Sequence, residues 1–324
     1  MKRRNFISNN LALGAILPAS YLSMGFDTPK PRHPSLASEE VIIERVSEDR
    51  PHQGKVLAVI QPHCDDIPIF AAGTVAKLIY EGYTGYLIRT SNDEAAGAGA
   101  TSGERYLNNE RDNAEVARVL GLKKTYDLNY ANHRMDEYNI QEIKGRLIFL
   151  FRLLKVDTLI CYDPWGLYEE NPDHYITAKA VEAARWMAGM STDYPEQLEI
   201  VKPHTVQEMY YFARGPQIVN RVVDISRFVD IKVESNLVCK TQGPGGDAGS
   251  RLRKKLADEG KKLPILGNDD KTANLNYIRE FVLEHDRING AKYDLEWAEC
   301  FHYIGPSPSG LNNYIEKNSI PSGI

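Results

Sequence analysis

The sequence predicts one doubly wound α/β domain with a mostly parallel sheet, helices on both faces and a C-terminal elaboration. Three observations lead there. Residues 55–60, KVLAVI, form an apolar run after a glycine, which suits a strand buried on both faces. Residues 69–80, IFAAGTVAKLIY, carry apolar positions at helical spacing and stop before Gly82. Residues 84–90, TGYLIRT, read as a second strand, which completes a βαβ unit.

The remaining elements follow in order. Residues 92–102, NDEAAGAGATS, are small and flexible, and they sit where an open α/β sheet places ligand loops. Residues 106–120 read as a charged amphipathic helix stopped by Gly121. A third helix is expected over 140–154, then an apolar strand over 156–162, VDTLICY. A loop, DPWGLYEENPDH, leads into the helical YITAKAVEAARWMA. Residues 208–213 and 218–225 read as two more strands, paired with each other. From Thr241 the chain is Gly-rich and then strongly charged, the pattern of a solvated surface. The last strand is expected over 299–304. No internal repeat is visible.

Composition narrows the function classes. The chain has 324 residues and a net charge of −5, so it lacks the basic footprint of a nucleic-acid binder. The four cysteines, Cys64, Cys161, Cys239 and Cys300, form no CxxC pair, which excludes a zinc ribbon or a thioredoxin-like motif. They read as buried free thiols. The N-terminus has a basic head, then an apolar stretch broken by small residues and Pro18, a secretory leader pattern. Arg3-Arg4-Asn5-Phe6-Ile7 resembles the twin-arginine type of leader. The expected division is a leader over 1–25, a Pro- and Ser-rich linker over 26–40 and the domain over 41–324. The expected location is periplasmic or extracellular, with no membrane span in the mature chain.

The chemistry concentrates in QPHCDDIPIF, residues 61–70. His63 and Asp66 follow the C-terminal end of the first strand, where open α/β sheets bind ligands. Read alone, Asp66 also suits a helix cap. His174 lies after another apolar strand and opens a helix, so the two loops can meet at one sheet edge. His63, Asp66 and His174 would make a His₂Asp set with an open fourth position, the arrangement of catalytic zinc. Fe²⁺ or Co²⁺ can occupy such a site too. Asp65 then serves as general base on the water that the cation acidifies.

Pro62-His63-Cys64-Asp65-Asp66 resembles the (A/P)-H-P-D-D signature of the PIG-L/LmbE-like deacetylase superfamily, and Asn171-Pro172-Asp173-His174 resembles its second signature, H-P-D-H. Weaker echoes run from Lys55 to Ile304 in ARVLGL, TLICYDPWG, VDIS and AECF. The resemblance implies a Rossmann-like fold and zinc-dependent removal of acetyl from N-acetylglucosamine units. It implies His63, Asp66 and His174 as ligands and Asp65 as base. It makes Tyr168 the counterpart of a tyrosine near the scissile carbonyl, there to hold the oxyanion. It places Arg105 and Arg111 near substrate, and Asp173 behind His174 or a neighbouring loop.

Three departures stand out. Cys64 replaces the motif proline and is expected to pack. Ile67 stands in place of a glutamate, so support for a ligand must come from elsewhere. Asn171 replaces the first histidine of H-P-D-H; it can donate a hydrogen bond but cannot carry a proton. His133 and His204 are outside candidates for that role, otherwise ordinary loop histidines. Two alternatives stay open: a hydrolase of another N-acyl compound or ester, and a carbohydrate-binding relative with weak catalysis. Retention of Asp65 argues against the second.

Overall fold

The structure is a computed structural model that describes residues 41–306 and 310–321. The leader and linker expected over 1–40 lie outside the described residues. The strands are β1 (Ile42–Glu44), β2 (Val56–Gln61), β3 (Thr84–Ser91), β4 (Thr125–Tyr130), β5 (Thr158–Tyr162), β6 (Glu208–Phe212), β7 (Arg221–Asp224) and β8 (Ala298–Ile304). They form one sheet in the order β1-β7-β8-β6-β5-β2-β3-β4. All pairings are parallel except those of β8, which runs antiparallel to both β6 and β7.

The central strands are apolar because both faces are covered. Leu57, Ala58, Val59 and Ile60 of β2 are fully buried, and so is every residue of β5. After β2 come α1 (Asp66–Phe70) and α2 (Ala72–Tyr80); α3 (Ser102–Val119) follows β3 and α4 (Ile140–Leu154) follows β4. The chain then returns across the sheet to place β5 on the other side of β2. Strand order reverses there, and α5 (Pro172–Met187) follows β5. The loops after β2 and β5 therefore open at the crevice where such sheets bind ligands.

Three expectations are corrected. The helix expected over 69–80 is two helices, broken at Ala71 (φ −144°). The backbone N–H groups of Gly73 and Thr74 donate to the Glu299 carboxylate at 3.0 and 2.7 Å, so a side chain from β8 caps α2. Gly73 also packs against Ile225 so closely that a Cβ would lie 2.7 Å from it. Secondly, β6 and β7 do not pair. They run in the same direction, the link over 213–220 is too short for a parallel crossover, and β8 lies between them. Thirdly, α5 begins at Pro172 rather than after His174. Asn171 caps it, accepting from Asp173 N at 3.0 Å, and Pro172 sits at the first helical position, where its missing N–H costs nothing.

The C-terminal elaboration comprises α6 (Val229–Val238), α7 (Ala248–Asp258), α8 (Asp270–Tyr277), α9 (Glu284–Lys292) and α10 (Gly310–Asn318). A buried ionic cluster fastens it to the sheet. Lys232 Nζ lies 2.7 Å from Glu299 and 2.8 Å from Asp286.

Candidate active site

His63 and Asp66 sit where β2 turns into α1, and His174 sits in the first turn of α5. One donor atom from each lies within 4.8 Å of the others. His63 Nδ1 faces His174 Nε2 at 3.0 Å, and the Asp66 oxygens lie 3.4 Å from the first and 3.5 Å from the second.

Outer partners fix this arrangement. His63 Nε2 is 3.0 Å from Asp173 Oδ2, which turns Nδ1 inward. Asp173 also accepts from Asn132 Nδ2 (2.9 Å), His133 N (2.7 Å) and Met135 N (3.2 Å), so it ties the loop after β4 to the site. His174 Nδ1 faces Glu169 Oε1 at 3.1 Å, a contact too oblique for a good hydrogen bond. Glu169 is held by Asn171 N (3.0 Å) and Arg214 (3.3 Å). Asp66 accepts from Tyr162 OH at 2.7 Å and from His63 N at 2.8 Å, and the Tyr162 ring stacks on His174 at 4.2 Å. Ligating side chains usually have such partners.

The donor set fits a divalent cation. Two imidazole nitrogens and a carboxylate converge, and with both nitrogens unprotonated no donor lies among them, a costly arrangement unless positive charge sits between. The electrostatics agree. Burial opposes a charged His63, yet the carboxylates of Asp173 and Asp66 outweigh it and raise its pKa well above the usual value. The two adjacent carboxylates are pushed apart. Burial raises Asp66 too, but His174, His63 and Tyr162 hold it down to about 2. Burial and the charge of Asp66 push Asp65 up to about 7. The two neighbouring carboxylates thus diverge, Asp66 held charged and Asp65 raised toward neutral pH, a contrast that can serve a division of roles.

The cleft over these residues encloses about 240 Å³. Asp65, His133, Asn171, Arg214 and Gln242 line it with the three donors. Gly243 (φ +85°) comes so close that a Cβ there would lie 2.8 Å from Asp65 Oδ2. The segment after Thr241, expected to be solvated surface, thus forms one wall of the site. Gln242 Nε2 contacts Cys64 Sγ at 3.3 Å, and Cys64 is fully buried.

Other expected residues lie elsewhere. Tyr168 is 87% exposed, its backbone turned out at φ +60°, and it is not in the cleft lining; Tyr162 is the tyrosine that reaches the donors. Arg105 Nε and Nη1 donate to the carbonyls of Glu94 and Gly99, bracing the loop after β3. Arg111 lies on exposed α3 with Leu107 O and Asn108 as partners. Neither arginine lines the cleft. Asp173 serves His63 and the neighbouring loop after β4 rather than His174. His204 pairs with Asp157 at 3.3 Å, just before β5 and so at the opposite end of the sheet. Sequence reasoning missed Tyr162, Glu169, Arg214 and Gln242. Tyr162 alone had a signal, as the last residue of a strand feeding a ligand loop.

The fold and the donor set together define a Rossmann-like protein with a buried His-His-Asp group that fits a divalent metal. Residues 58–185 match the PIG-L family, described as GlcNAc-PI de-N-acetylase. It is 27% identical over 194 residues to a diacetylchitobiose deacetylase from Thermococcus kodakarensis, spanning 59% of this chain and 71% of that one. The structure of N,N'-diacetylchitobiose deacetylase from Pyrococcus horikoshii matches with a TM-score of 0.63 and 21% identity, over 80% of this chain and 87% of that one. The 4-carboxy-2-hydroxymuconate hydratase from Pseudomonas putida matches with 0.56 and 13% identity, over 79% and 98%. One fold thus carries more than one reaction, and the site must decide.

Proposed function

We propose that this protein is an exported, zinc-dependent hydrolase that removes N-acetyl groups from N-acetylglucosamine-containing glycans or glycosides. The observation that carries the reading is the convergence of His63 Nδ1, His174 Nε2 and an Asp66 oxygen beside a carboxylate, Asp65, that is raised toward neutrality. The 27% identical deacetylase supports the choice of an N-acetylated sugar.

His63, Asp66 and His174 would hold the ion, which when bound supplies Lewis acidity and a lowered water pKa. Asp65 takes the proton of the attacking water and returns it to the leaving amine nitrogen, one group acting as base and then acid. Asn171 spends its side-chain oxygen on the cap of α5, which leaves its amide nitrogen as a donor for the developing oxyanion. Asn171 cannot deliver a proton, so that task falls to Asp65. The low Asp66 pKa keeps the ligand charged throughout. The location rests on the twin-arginine-like leader; replacing Arg3 and Arg4 with lysine should retain the chain in the cytoplasm.

The test is acetate release from a panel of N-acetylated sugars by the zinc-loaded full chain. Release that disappears in Asp65→Asn is expected. Sugar binding without release would make the protein a carbohydrate-binding relative instead.

A further inference from the structure

We propose that Cys64 and Cys239 are a covalent modification site: with a small organic disulfide as oxidant, they join in a disulfide that staples one wall of the cleft to the ligand loop. The two residues lie 175 positions apart in the chain. Cys64 stands between the donor His63 and the carboxylate Asp65, where the signature it resembles has proline. Cys239 ends α6 and leads into the segment that sets Gln242 and Gly243 against the cleft. The other two cysteines are apart, Cys161 in β5 and Cys300 in β8, with β6 between those strands.

The fold brings the two sulfurs together. The Cys239 thiol donates to the Cys64 carbonyl oxygen at 3.6 Å and to the Ser235 carbonyl oxygen at 3.5 Å. The two thiols also lie within hydrogen-bond contact of each other. Both are shut off from bulk water, Cys64 fully buried and Cys239 2% exposed. One side chain separates Cys64 from the cleft. Gln242 Nε2 contacts Cys64 Sγ at 3.3 Å, and Gln242 lines the cleft. The wall segment is held at its start by Asp112, which accepts from Lys240 N at 2.8 Å and Thr241 N at 2.6 Å. Beyond that run Gly243, Pro244, Gly245 and Gly246, and a disulfide at Cys239 gives this stretch a covalent anchor on the ligand loop.

The exchange conserves atoms and electrons. The Cys64 thiolate attacks one sulfur of the small disulfide, whose S–S bond breaks and releases a thiolate. The Cys239 thiolate then attacks Cys64 Sγ in the mixed disulfide, forms the Cys64–Cys239 bond and releases the second thiolate. The two cysteine protons pass through water to the released thiolates. Two protein thiols are oxidised and one small disulfide is reduced to two thiols. The contact with Cys239 and burial raise the Cys64 thiol well above its ordinary pKa, so the first step is slow. Such bonds persist in oxidising compartments, where the proposed export would take the chain.

The test incubates the zinc-loaded full chain with 2-hydroxyethyl disulfide in mildly alkaline buffer. The chain is then denatured, titrated for free thiol and mapped by peptide mass spectrometry. Two of the four thiols should be lost together, with no adduct retained and with one linked peptide pair carrying Cys64 and Cys239. The cross-linked chain should unfold at a higher urea midpoint, because the bond closes a long loop, and dithiothreitol should restore the original midpoint. Gln242→Ala should speed the loss of the two thiols by opening the way from the cleft. A stable adduct on Cys64 alone, four thiols retained in both wild type and Gln242→Ala, a link through Cys161 or Cys300, or an unchanged urea midpoint overturns the proposal.

Discussion

His63 Nε2 lies 3.0 Å from Asp173 Oδ2, and this pairing decides which ring nitrogen faces Asp66 and His174. The same carboxylate holds the backbone of His133 and Met135, so one residue sets a donor's tautomer and one wall of the cleft. Asp173→Asn should weaken metal binding by about 10- to 100-fold, the usual effect of losing an outer partner. Competition with a chromophoric chelator would show it; unchanged affinity would mean that packing alone orients His63.

Asp65→Asn removes the proton acceptor and leaves the three donors in place. Turnover should fall by about 10²- to 10⁴-fold, the range for general acid–base catalysis, with metal content unchanged. Parallel loss of metal and turnover would instead make Asp65 a ligand.

Gly243 holds φ at +85°, and an added Cβ would meet Asp65 Oδ2 at 2.8 Å. Gly243→Ala should cost about 1–2 kcal/mol for the left-handed backbone and about 10²-fold in kcat if Asp65 is displaced by an ångström. Urea unfolding and steady-state rates separate the two effects.

The buried cluster of Lys232, Asp286 and Glu299 gives a pH dependence. One cation cannot fully neutralise two carboxylates. Burial raises Asp286 to about 7, with Lys232 opposing and Glu299 adding to the rise. An unfolded aspartate titrates near about 3.9. Between these values the folded chain binds more protons than the unfolded one, so stability from this group is complete below about pH 4 and lost as pH rises through about 7. The slope is at most about 1.4 kcal/mol per pH unit. Urea midpoints measured from pH 5 to 8 should fall more steeply for wild type than for Asp286→Asn.

Tyr162 and Tyr168 should behave differently. Tyr168 is 87% exposed, and Tyr168→Phe should change kcat/KM by less than about threefold. Tyr162→Phe removes the 2.7 Å hydrogen bond to Asp66 and should weaken metal binding by about tenfold or more. Steady-state rates check the first, and the same chelator competition checks the second.

The sequence made the donors legible because they lie in two short loops, each after a fully apolar strand. A buried parallel strand has no polar alternation to hide it, and a loop at its C-terminal end is where such sheets work. The edges were not legible. β1 has three residues, and β4, TYDLNY, is half-exposed and mixes polar with apolar positions, so neither shows a period. Tyr168 was misplaced because a position next to a motif does not reveal a left-handed turn that points the ring outward. Gln242 and Gly243 lie far from the donors in sequence, in a stretch whose glycines look like solvated loop. Only tertiary packing brings Gly243 against Asp65. Glu169 and Arg214 are a charge pair between two loops, and no local pattern announces such a pair.

The most direct measurement is the metal content of the purified full chain, wild type beside His174→Ala. The structure predicts about one divalent ion per chain in wild type and its loss in the variant, since a catalytic zinc site needs its three protein ligands. A wild-type chain that takes up no metal on reconstitution, or a His174→Ala chain that keeps it, would contradict the site.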